Sequence, residues 1–288
     1  MSERKIDFAQ YIRVPEGAIA KYESHTGVAW KQGVHALLKH EGLEMPTPAV
    51  FMPYVKHVIA AYKAGETLCD GLGNPLGSQE REDLYLHLTT NHIHGGAWNW
   101  LNARFVAHEQ GFQGFGLERV VDVRDDGALV TKTEPLLECV GEDGYVTLDF
   151  NAQGLPTKLS EVQEYMRGEN VRFWFPRIGS VARFVASSGG AYLYCNWYPT
   201  NSNSGLGVFA FAREKNLNAV HNTERYLKIV ERDSRAIEIE EEDGNQIALL
   251  RREEAVSAFE KSIETLSDTN KETARKGFYH SIGKKGNE

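Results

Sequence analysis

The sequence predicts an α+β fold in which an antiparallel sheet carries inserted helices. Residues 15–110 mostly have the apolar spacing of helices, separated by glycine and proline turns, and after Gly111 the chain changes to alternating, β-rich segments. We therefore expect a mainly helical portion, 1–110, inserted in or packed on a β-rich portion, 111–288, which ends in a helix and a basic tail. Because no low-complexity linker separates them, the two portions are predicted to form one intertwined domain.

The helices of the first portion are predicted from apolar spacing and from end signals. They cover residues 16–23, 28–40, 47–62 and 78–88. Thr47 and Ser78 are suited to cap the third and fourth helices, and Pro48 would occupy a first turn, where its missing N–H costs little. Gly42 and Gly65 are expected to end the second and third helices, because glycine readily adopts the left-handed conformation found there.

Strands are predicted in the second portion, where apolar and polar residues alternate. The candidates are 117–123, 145–150, 171–175, 181–185 and 192–197. Two further helices are predicted at 159–167 and 253–266. Strands in this order, with helices inserted among them, favour an α+β arrangement over a doubly wound parallel sheet.

Composition limits the class of protein. The 288 residues are 41% hydrophobic and 25% charged, as in an ordinary globular chain, and the net charge is -8. This acidic balance weighs against a surface that binds nucleic acid everywhere, but it is compatible with a local basic groove. No segment predicts a membrane span or a secretory signal. Cys69, Cys139 and Cys195 form no paired motif, which favours a reducing, cytoplasmic location.

Residues 91–105, NHIHGGAWNWLNARF, combine histidines, tryptophans, amides and an arginine, a mixture more typical of ligand contact than of a core. We predict a glycine-started helix here. Trp98 and Trp100 are two residues apart, so on a helix they would point about 200° away from each other and could not share one apolar stripe. One face would be buried, and the other would offer a ring, an amide and a guanidinium to a partner. Alternatively, the tryptophans pack under a neighbouring sheet.

Motifs of well-known catalytic sites do not occur in the sequence. There is no phosphate-binding loop, dinucleotide fingerprint, HExxH motif or nucleophile elbow, so a non-catalytic protein is favoured. The alternative is a metal-dependent enzyme built on His92, His94 and His108. On a strand, an HxH pair puts both imidazoles on one face, where a carboxylate could complete a divalent metal site. On the expected helix or turn, the histidines would instead cap the helix or form local hydrogen bonds.

A second cluster, VRFWFPRIGSVARF at 171–184, interleaves Arg172, Arg177 and Arg183 with aromatic residues. In an extended segment, Arg172 and Trp174 share one face and the apolar residues share the other. Such a surface suits single-stranded nucleic acid, because aromatic and guanidinium planes stack on bases and the cations meet phosphates. The alternative is a sandwich strand whose arginines extend to solvent.

The order of these motifs resembles a known family. GGAWNWLNARF at 95–105 resembles the glycine, aromatic, tryptophan and asparagine helix of the backbone subunit in type I-F CRISPR surveillance (Cascade) complexes, a member of the RAMP superfamily. NWYP at 196–199, followed by GLGVFAF at 205–211, is similar to that family's WYP segment and the strand after it. ERKID at 3–7 and GFYHSIGKKG at 277–286 are similar to its first strand and its tail.

The resemblance implies an RRM-like palm with helical insertions and a non-catalytic RNA-binding protein without a cofactor. Copies would polymerise along a CRISPR RNA, with other subunits of an antiviral complex, and the guide would pair with target DNA. The residues expected beside the RNA are Trp100, Asn102, Arg104, Arg172, Arg177, Arg183, Lys284 and Lys285. The interval between the tryptophan segment and WYP is shorter than the family's. This shortening and the acidic balance are compatible with another interpretation, a virus- or plasmid-encoded mimic (an anti-CRISPR protein) with the same fold.

Overall fold

The structure, a computed structural model, describes residues 6–30, 32–91, 96–200 and 206–213, and beyond these only Glu260, Lys271, Glu272 and Arg275. The chain divides into two compact units, Met1–Glu214 and Lys215–Glu288. In the second unit, the helical residues Glu260 and Arg275 form an ion pair with 2.6 Å between Oε2 and Nη2. The change in sequence character near residue 110 lies inside the first unit, where the chain on both sides of it contributes to one sheet.

The first unit is α+β, as the sequence predicted. Its described helices are α1 (Gln32–His40), α2 (Pro48–Ala64) and α3 (Ser78–Thr89). Its described strands are β1 (Tyr11–Val14), β2 (Gly17–Ala20), β3 (Trp98–Ala107), β4 (Phe115–Val123), β5 (Leu129–Pro135), β6 (Gly144–Thr147), β7 (Asn170–Trp174), β8 (Val181–Ser187), β9 (Gly190–Trp197) and β10 (Phe211–Arg213). Short 3-10 turns, Phe8–Gln10 and Phe112–Gly114, precede β1 and β4.

Seven strands form the main sheet, in the order β5-β4-β3-β8-β9-β7-β6. Its neighbouring strands run antiparallel except β7 and β9, which are parallel, so the sheet is mixed where the sequence led us to expect an antiparallel one. The strands β1, β2 and β10 form a smaller antiparallel sheet. All five strands predicted from alternation are present, whereas β1, β2, β3, β5 and β10 were not predicted.

Helices α2 and α3 pack on one face of the main sheet and enclose the core with it. Phe51 of α2 lies against Phe184 of β8, with ring centroids 5.4 Å apart. Pro48 opens the first turn of α2 and Gly65 ends the helix in the left-handed region at φ 67°, as predicted. Thr47 occupies the predicted N-cap position, but its side chain forms no capping hydrogen bond. No helix within the described residues is long and apolar enough to cross a membrane.

The helix predicted over 16–23 is wrong, because this segment contains β2. All four residues of β2 are buried, and the strand lies between β1 and β10. Gly17 permits this close packing: a Cβ there would lie 2.0 Å from the carbonyl oxygen of Ala212. Pairing on both sides thus overrides the local spacing that suggested a helix.

The helix predicted over 159–167 is also wrong, and turns and bends occupy this segment. The Ser160 hydroxyl accepts a hydrogen bond from the N–H of Val162 at 3.2 Å, and the Asn170 side chain accepts one from the N–H of Met166 at 2.8 Å. Polar side chains therefore take up backbone groups that a helix would use. The helix predicted at 253–266 lies outside the described residues apart from Glu260, which is helical.

The glycine-started helix predicted over 95–105 is wrong as well, since Trp98–Ala107 forms β3. Leu101, Ala103 and Phe105 belong to the core beneath the helices, and alternation directs Trp98 and Trp100 to the other face. The spacing of two that separates the tryptophans on a helix brings them together on a strand. The spacing of the two tryptophans therefore already indicated a strand.

Candidate nucleic-acid interface

The two faces of the main sheet differ in chemistry. Beneath the helices, alternate residues of β7, β8 and β9 are apolar and buried, and the residues between them are largely aromatic or basic. The sequence predicted that Arg172 and Trp174 share one face of an extended segment with apolar residues on the other. The structure confirms this, because Val171 and Phe173 are in the core while Arg172 and Trp174 are half-buried on the opposite face.

The strand register arranges the second face in rows. In the first row, Tyr145, Arg172, Tyr192, Val185 and Trp98 lie opposite one another on β6, β7, β9, β8 and β3. The second row contains Trp174, Tyr194, Arg183 and Trp100, which is fully buried. We call this surface the aromatic face and define it as Trp98, Tyr145, Arg172, Trp174, Arg183, Tyr192, Tyr194 and Trp197. It extends over five adjacent strands.

The rings at the centre of the aromatic face lie nearly parallel. Those of Trp174 and Tyr194 have centroids 6.0 Å apart and planes 8° from parallel, and those of Tyr192 and Tyr194 are 5.6 Å and 17° apart. Trp197 adjoins Tyr194 at 5.4 Å. All four rings are half-buried, so each keeps part of its surface open. Trp174, Tyr194 and Tyr192 thus stack on one another, and Trp197 is tilted by 60° to Tyr194. The part of each ring that remains exposed is a surface on which a flat ligand such as a nucleobase can pack.

Two arginines lie among these rings. The guanidinium carbon of Arg172 is 5.0 Å from the ring centroid of Tyr145 and 5.3 Å from that of Trp174. Arg183 is only 4% exposed, and its guanidinium carbon lies 3.4 Å from the ring centroid of Trp197. Neither arginine has a carboxylate partner within the described residues. The face therefore carries two positive charges that stack on rings and that no ion pair neutralises there.

Arg183 and two tryptophans keep unused hydrogen-bond donors. Burial lowers the pKa of Arg183 to about 10, a hydrogen bond with Tyr194 opposes this shift, and the side chain stays charged at neutral pH. In the described part of the chain, Nε of Arg183 and Nε1 of Trp174 and Trp197 are buried without an acceptor. Such atoms number eight there, and three of them are on this face. Because each costs about 1–3 kcal/mol, the face is not arranged for folding stability alone.

Trp100 and Asn102, which were expected beside RNA, are engaged within the protein. Trp100 is fully buried, and its Nε1 donates to the Val28 carbonyl at 2.8 Å. Asn102 is 6% exposed; its side chain donates to the Val120 carbonyl and accepts from the Val120 N–H, both at 2.8 Å. The expected contacts came from assigning both residues to an exposed helix face. Both residues instead lie in β3, where their buried side chains form hydrogen bonds that stabilise the fold.

The remaining predicted arginines differ in position. Arg104 is exposed and pairs with Glu118 across 3.3 Å, a surface ion pair that is typically weak. The register places Arg104 in a third row with Val181 and Trp197, so it continues the aromatic face. Arg177 is exposed in the loop between β7 and β8. Lys284 and Lys285 lie outside the described residues.

Of the three histidines in the predicted metal site, only His108 is among the described residues. His92 and His94 lie outside them, so the metal prediction built on this pair stays a prediction. The Nδ1 atom of His108 accepts a local backbone N–H at 3.3 Å, and no group of three or more metal-ligating side chains comes together among the residues described. Burial raises the pKa of Cys139 to about 12 and also raises that of Cys195, so neither is a thiolate nucleophile at neutral pH.

Tyr145, Tyr192, Tyr194 and Trp197 were not among the predicted contact residues. The alternation in YLYCNW at 192–197 indicated a strand with two tyrosines on one side, and this signal could have found them. The alternation within one strand does not, however, show which other strands lie beside it in the sheet. Only the structure shows that β7 pairs with β9 in parallel, which brings Trp174 beside Tyr194.

Comparison of the chain with protein-family models, with curated proteins and with solved structures gave no match.

Proposed function

We propose that this chain is a non-catalytic RNA-binding protein whose aromatic face holds a single strand. The observation that supports this most is the combination of near-parallel, half-buried rings with Arg172 and Arg183, which have no carboxylate partner in the described residues. Helices on one face of a sheet and aromatic residues on the other also characterise RRM modules, whose sheet aromatics stack two or three bases. The proposal therefore includes an RRM-like palm.

Stacking and charge would share the binding energy. Each base stacked on a ring contributes roughly 1–3 kcal/mol, with little preference for sequence, because every base has a flat face. Arg172 would add a salt-dependent contribution from a phosphate contact, whereas Arg183, only 4% exposed, would place its charge against the rings. A duplex hides the planes of its bases, so the aromatic face suits a single strand better. The net charge of -8 lowers general attraction to polyanions and makes binding depend on this face.

The motifs that resemble the type I-F backbone subunit extend the proposal to CRISPR RNA. In this form, the protein is a cytoplasmic subunit that assembles with other copies and other subunits along the guide, which then pairs with target DNA. Arg183 supports this form because it joins the two motif segments: its guanidinium carbon lies 5.7 Å from the ring centroid of Trp98 in GGAWNW and 3.4 Å from that of Trp197 in NWYP. Residues of both segments thus border the proposed RNA surface.

The proposal is tested by fluorescence anisotropy with a labelled single-stranded RNA of mixed sequence over a range of salt concentrations. We expect Arg172→Gln to weaken binding several-fold and to reduce the slope of log K against log salt by about 0.7, the value for one lost contact to a single strand. Tyr192→Leu should weaken binding but leave the slope unchanged, because it removes a stacking plane and no charge.

Arg124→Gln is the matched control. Arg124 lies in the turn after β4, its side chain is 63% exposed, and Asp126 is 3.5 Å from it. This variant loses the same charge as Arg172→Gln away from the aromatic face. Equal effects of Arg172→Gln and Arg124→Gln would indicate that RNA is attracted non-specifically to positive charge anywhere on the protein. Unchanged affinity and salt slope in both Arg172→Gln and Tyr192→Leu would refute binding at the aromatic face.

A further inference from the structure

A cavity of about 300 Å³ lies where the C-terminal end of α3 meets the turn between β8 and β9. Its wall includes Asn91, Arg167, Ser187 and Ser188, together with the last threonine of α3 and the threonine that follows it. Its volume is at the lower end of the range for small-molecule sites and is sufficient for a mononucleotide. The proposed RNA surface does not include these residues.

Four polar side chains of this cavity, those of Asn91, Arg167, Ser187 and Ser188, can donate hydrogen bonds and have no side-chain partner among the described residues. Arg167 is exposed and forms no ion pair within the described residues. The hydroxyls of Ser187 and Ser188 and the amide of Asn91 likewise form no side-chain hydrogen bond to any residue that the structure describes. No carboxylate is among the described residues of the wall. A divalent cation is therefore a poor occupant, and an anion is a good one.

The end of α3 is arranged so that its carbonyls do not oppose an anion. The Thr89 hydroxyl donates to the Tyr85 carbonyl at 2.7 Å, the Thr90 hydroxyl donates to the Leu86 carbonyl at 2.8 Å, and the Tyr165 hydroxyl donates to the Thr89 carbonyl at 2.7 Å. The C-terminal end of a helix otherwise presents unpaired carbonyls and a partial negative charge. Here the Thr89 carbonyl accepts from the Tyr165 hydroxyl, the Leu86 carbonyl accepts from both the N–H and the hydroxyl of Thr90, and the His87 carbonyl accepts from the N–H of Ala97. These three oxygens are therefore engaged, and the exposed guanidinium of Arg167 adds a positive charge.

The turn between β8 and β9 is shaped around the same cavity. Gly190 has φ +124°, and a Cβ there would lie 2.7 Å from the ring of Tyr165, so only glycine lets the ring close this wall. A Cβ on Gly189 would lie 2.5 Å from the hydroxyl of Tyr192, a member of the aromatic face. The cavity therefore adjoins the aromatic face at the β8–β9 turn.

From these contacts we infer that the cavity binds the phosphate group of a nucleoside monophosphate, either as the free mononucleotide or as the phosphorylated end of a strand. Arg167 supplies the charge-assisted contact, and Ser187, Ser188 and Asn91 supply neutral donors. This site stands without the RNA-binding proposal, since none of its residues belongs to the aromatic face.

Isothermal titration calorimetry of the full chain with AMP and with adenosine tests the inference. The phosphate should make AMP bind at least about tenfold more tightly than adenosine, as expected of a charge-assisted hydrogen bond. Arg167→Gln should remove this difference, and Ser188→Ala should reduce it. Arg124→Gln is the control, because it removes the same charge from an exposed turn that lines neither the cavity nor the aromatic face, and it should leave AMP binding unchanged. Arg167 is exposed, and a thermal melt verifies that Arg167→Gln remains folded.

A short RNA with and without a 5′ phosphate separates the two sources. A preference for the phosphorylated strand that Arg167→Gln abolishes supports a strand end as the ligand. AMP binding that depends on Arg167, without such a preference, supports the free nucleotide. Equal affinity for AMP and adenosine, or AMP binding that Arg167→Gln leaves intact, overturns the inference, and neither result bears on the salt slope at Arg172.

Discussion

The side-chain amide of Asn102 forms the hydrogen bonds to the Val120 backbone that the backbone of a paired strand residue would otherwise form. The register of β3 with β4 runs from Ala107 to Arg104, and beyond it the side chain of Asn102 bonds both the N–H and the carbonyl of Val120. An aspartate could accept the first bond but could not donate the second, and it would bring a charge into a buried site. The choice of asparagine therefore follows from the need for one donor and one acceptor in a covered place.

Replacing Asn102 should lower the stability of the protein and leave the proposed RNA surface, the aromatic face, unchanged. Asn102→Ala leaves two buried backbone groups of Val120 without partners, so we expect the free energy of unfolding to fall by roughly 2–4 kcal/mol in urea titrations followed by tryptophan fluorescence. Asn196→Ala is the control, since Asn196 is half-buried and has no side-chain hydrogen bond to the described residues. If folded Asn102→Ala showed a reduced salt slope for RNA while its stability was unchanged, the structural role would be wrong.

At the scale of elements, the junction of α3, β3 and β8 depends on Gly96. This residue has φ +85°, and a Cβ there would lie 2.0 Å from the carbonyl oxygen of Ala186 and 2.5 Å from that of Thr90. Both neighbours are backbone atoms, so no side-chain rotation can relieve the clash. The entry of the chain into β3, and with it the position of Trp98 on the aromatic face, therefore requires glycine.

We expect Gly96→Ala to destabilise the protein by more than about 3 kcal/mol, since overpacking adds to the cost of a left-handed alanine. Gly73→Ala is matched to it, because Gly73 has φ +87° and nothing lies within 4 Å of the Cβ position. That variant should lose only about 1–2 kcal/mol. Thermal melts of the two variants give the difference. Equal losses would mean that the junction can move apart to accept a methyl group.

Helices and strands whose patterns lie in contiguous residues were predicted well. Strands whose formation depends on pairing with distant strands were not. The capping signals around α2 and the alternation in β4, β7, β8 and β9 are properties of contiguous residues. The helices predicted over 16–23 and 95–105 became β2 and β3 because each strand pairs on both sides, and such pairing overrides local spacing. The aromatic face was predicted in part for the same reason. The single segment 171–184 contains Arg172 and Arg183, whereas the tyrosines join them only through pairing of distant strands.

At the scale of the whole molecule, the size of the aromatic face would limit how much RNA one copy could hold under the proposed function. The face extends over five strands, and neighbouring strands are about 4.8 Å apart, so it spans roughly 20 Å in that direction. A surface of this width accommodates only a few nucleotides, comparable with the two or three bases that RRM sheets stack. A longer guide would therefore need several copies of the chain, which agrees with the proposed role as a backbone subunit.

The number of copies per RNA should then increase with guide length. We would express the chain with each of two CRISPR RNAs, one twice as long as the other, and measure the mass of the assemblies by size-exclusion chromatography with light scattering and absorbance at 260 and 280 nm. The backbone proposal predicts more protein per particle on the longer guide, and Arg172→Gln should lower the recovery of both assemblies while Arg124→Gln should not. A nucleic-acid-free species of one mass with either guide would contradict it and favour a mimic, since a mimic needs the fold but no guide.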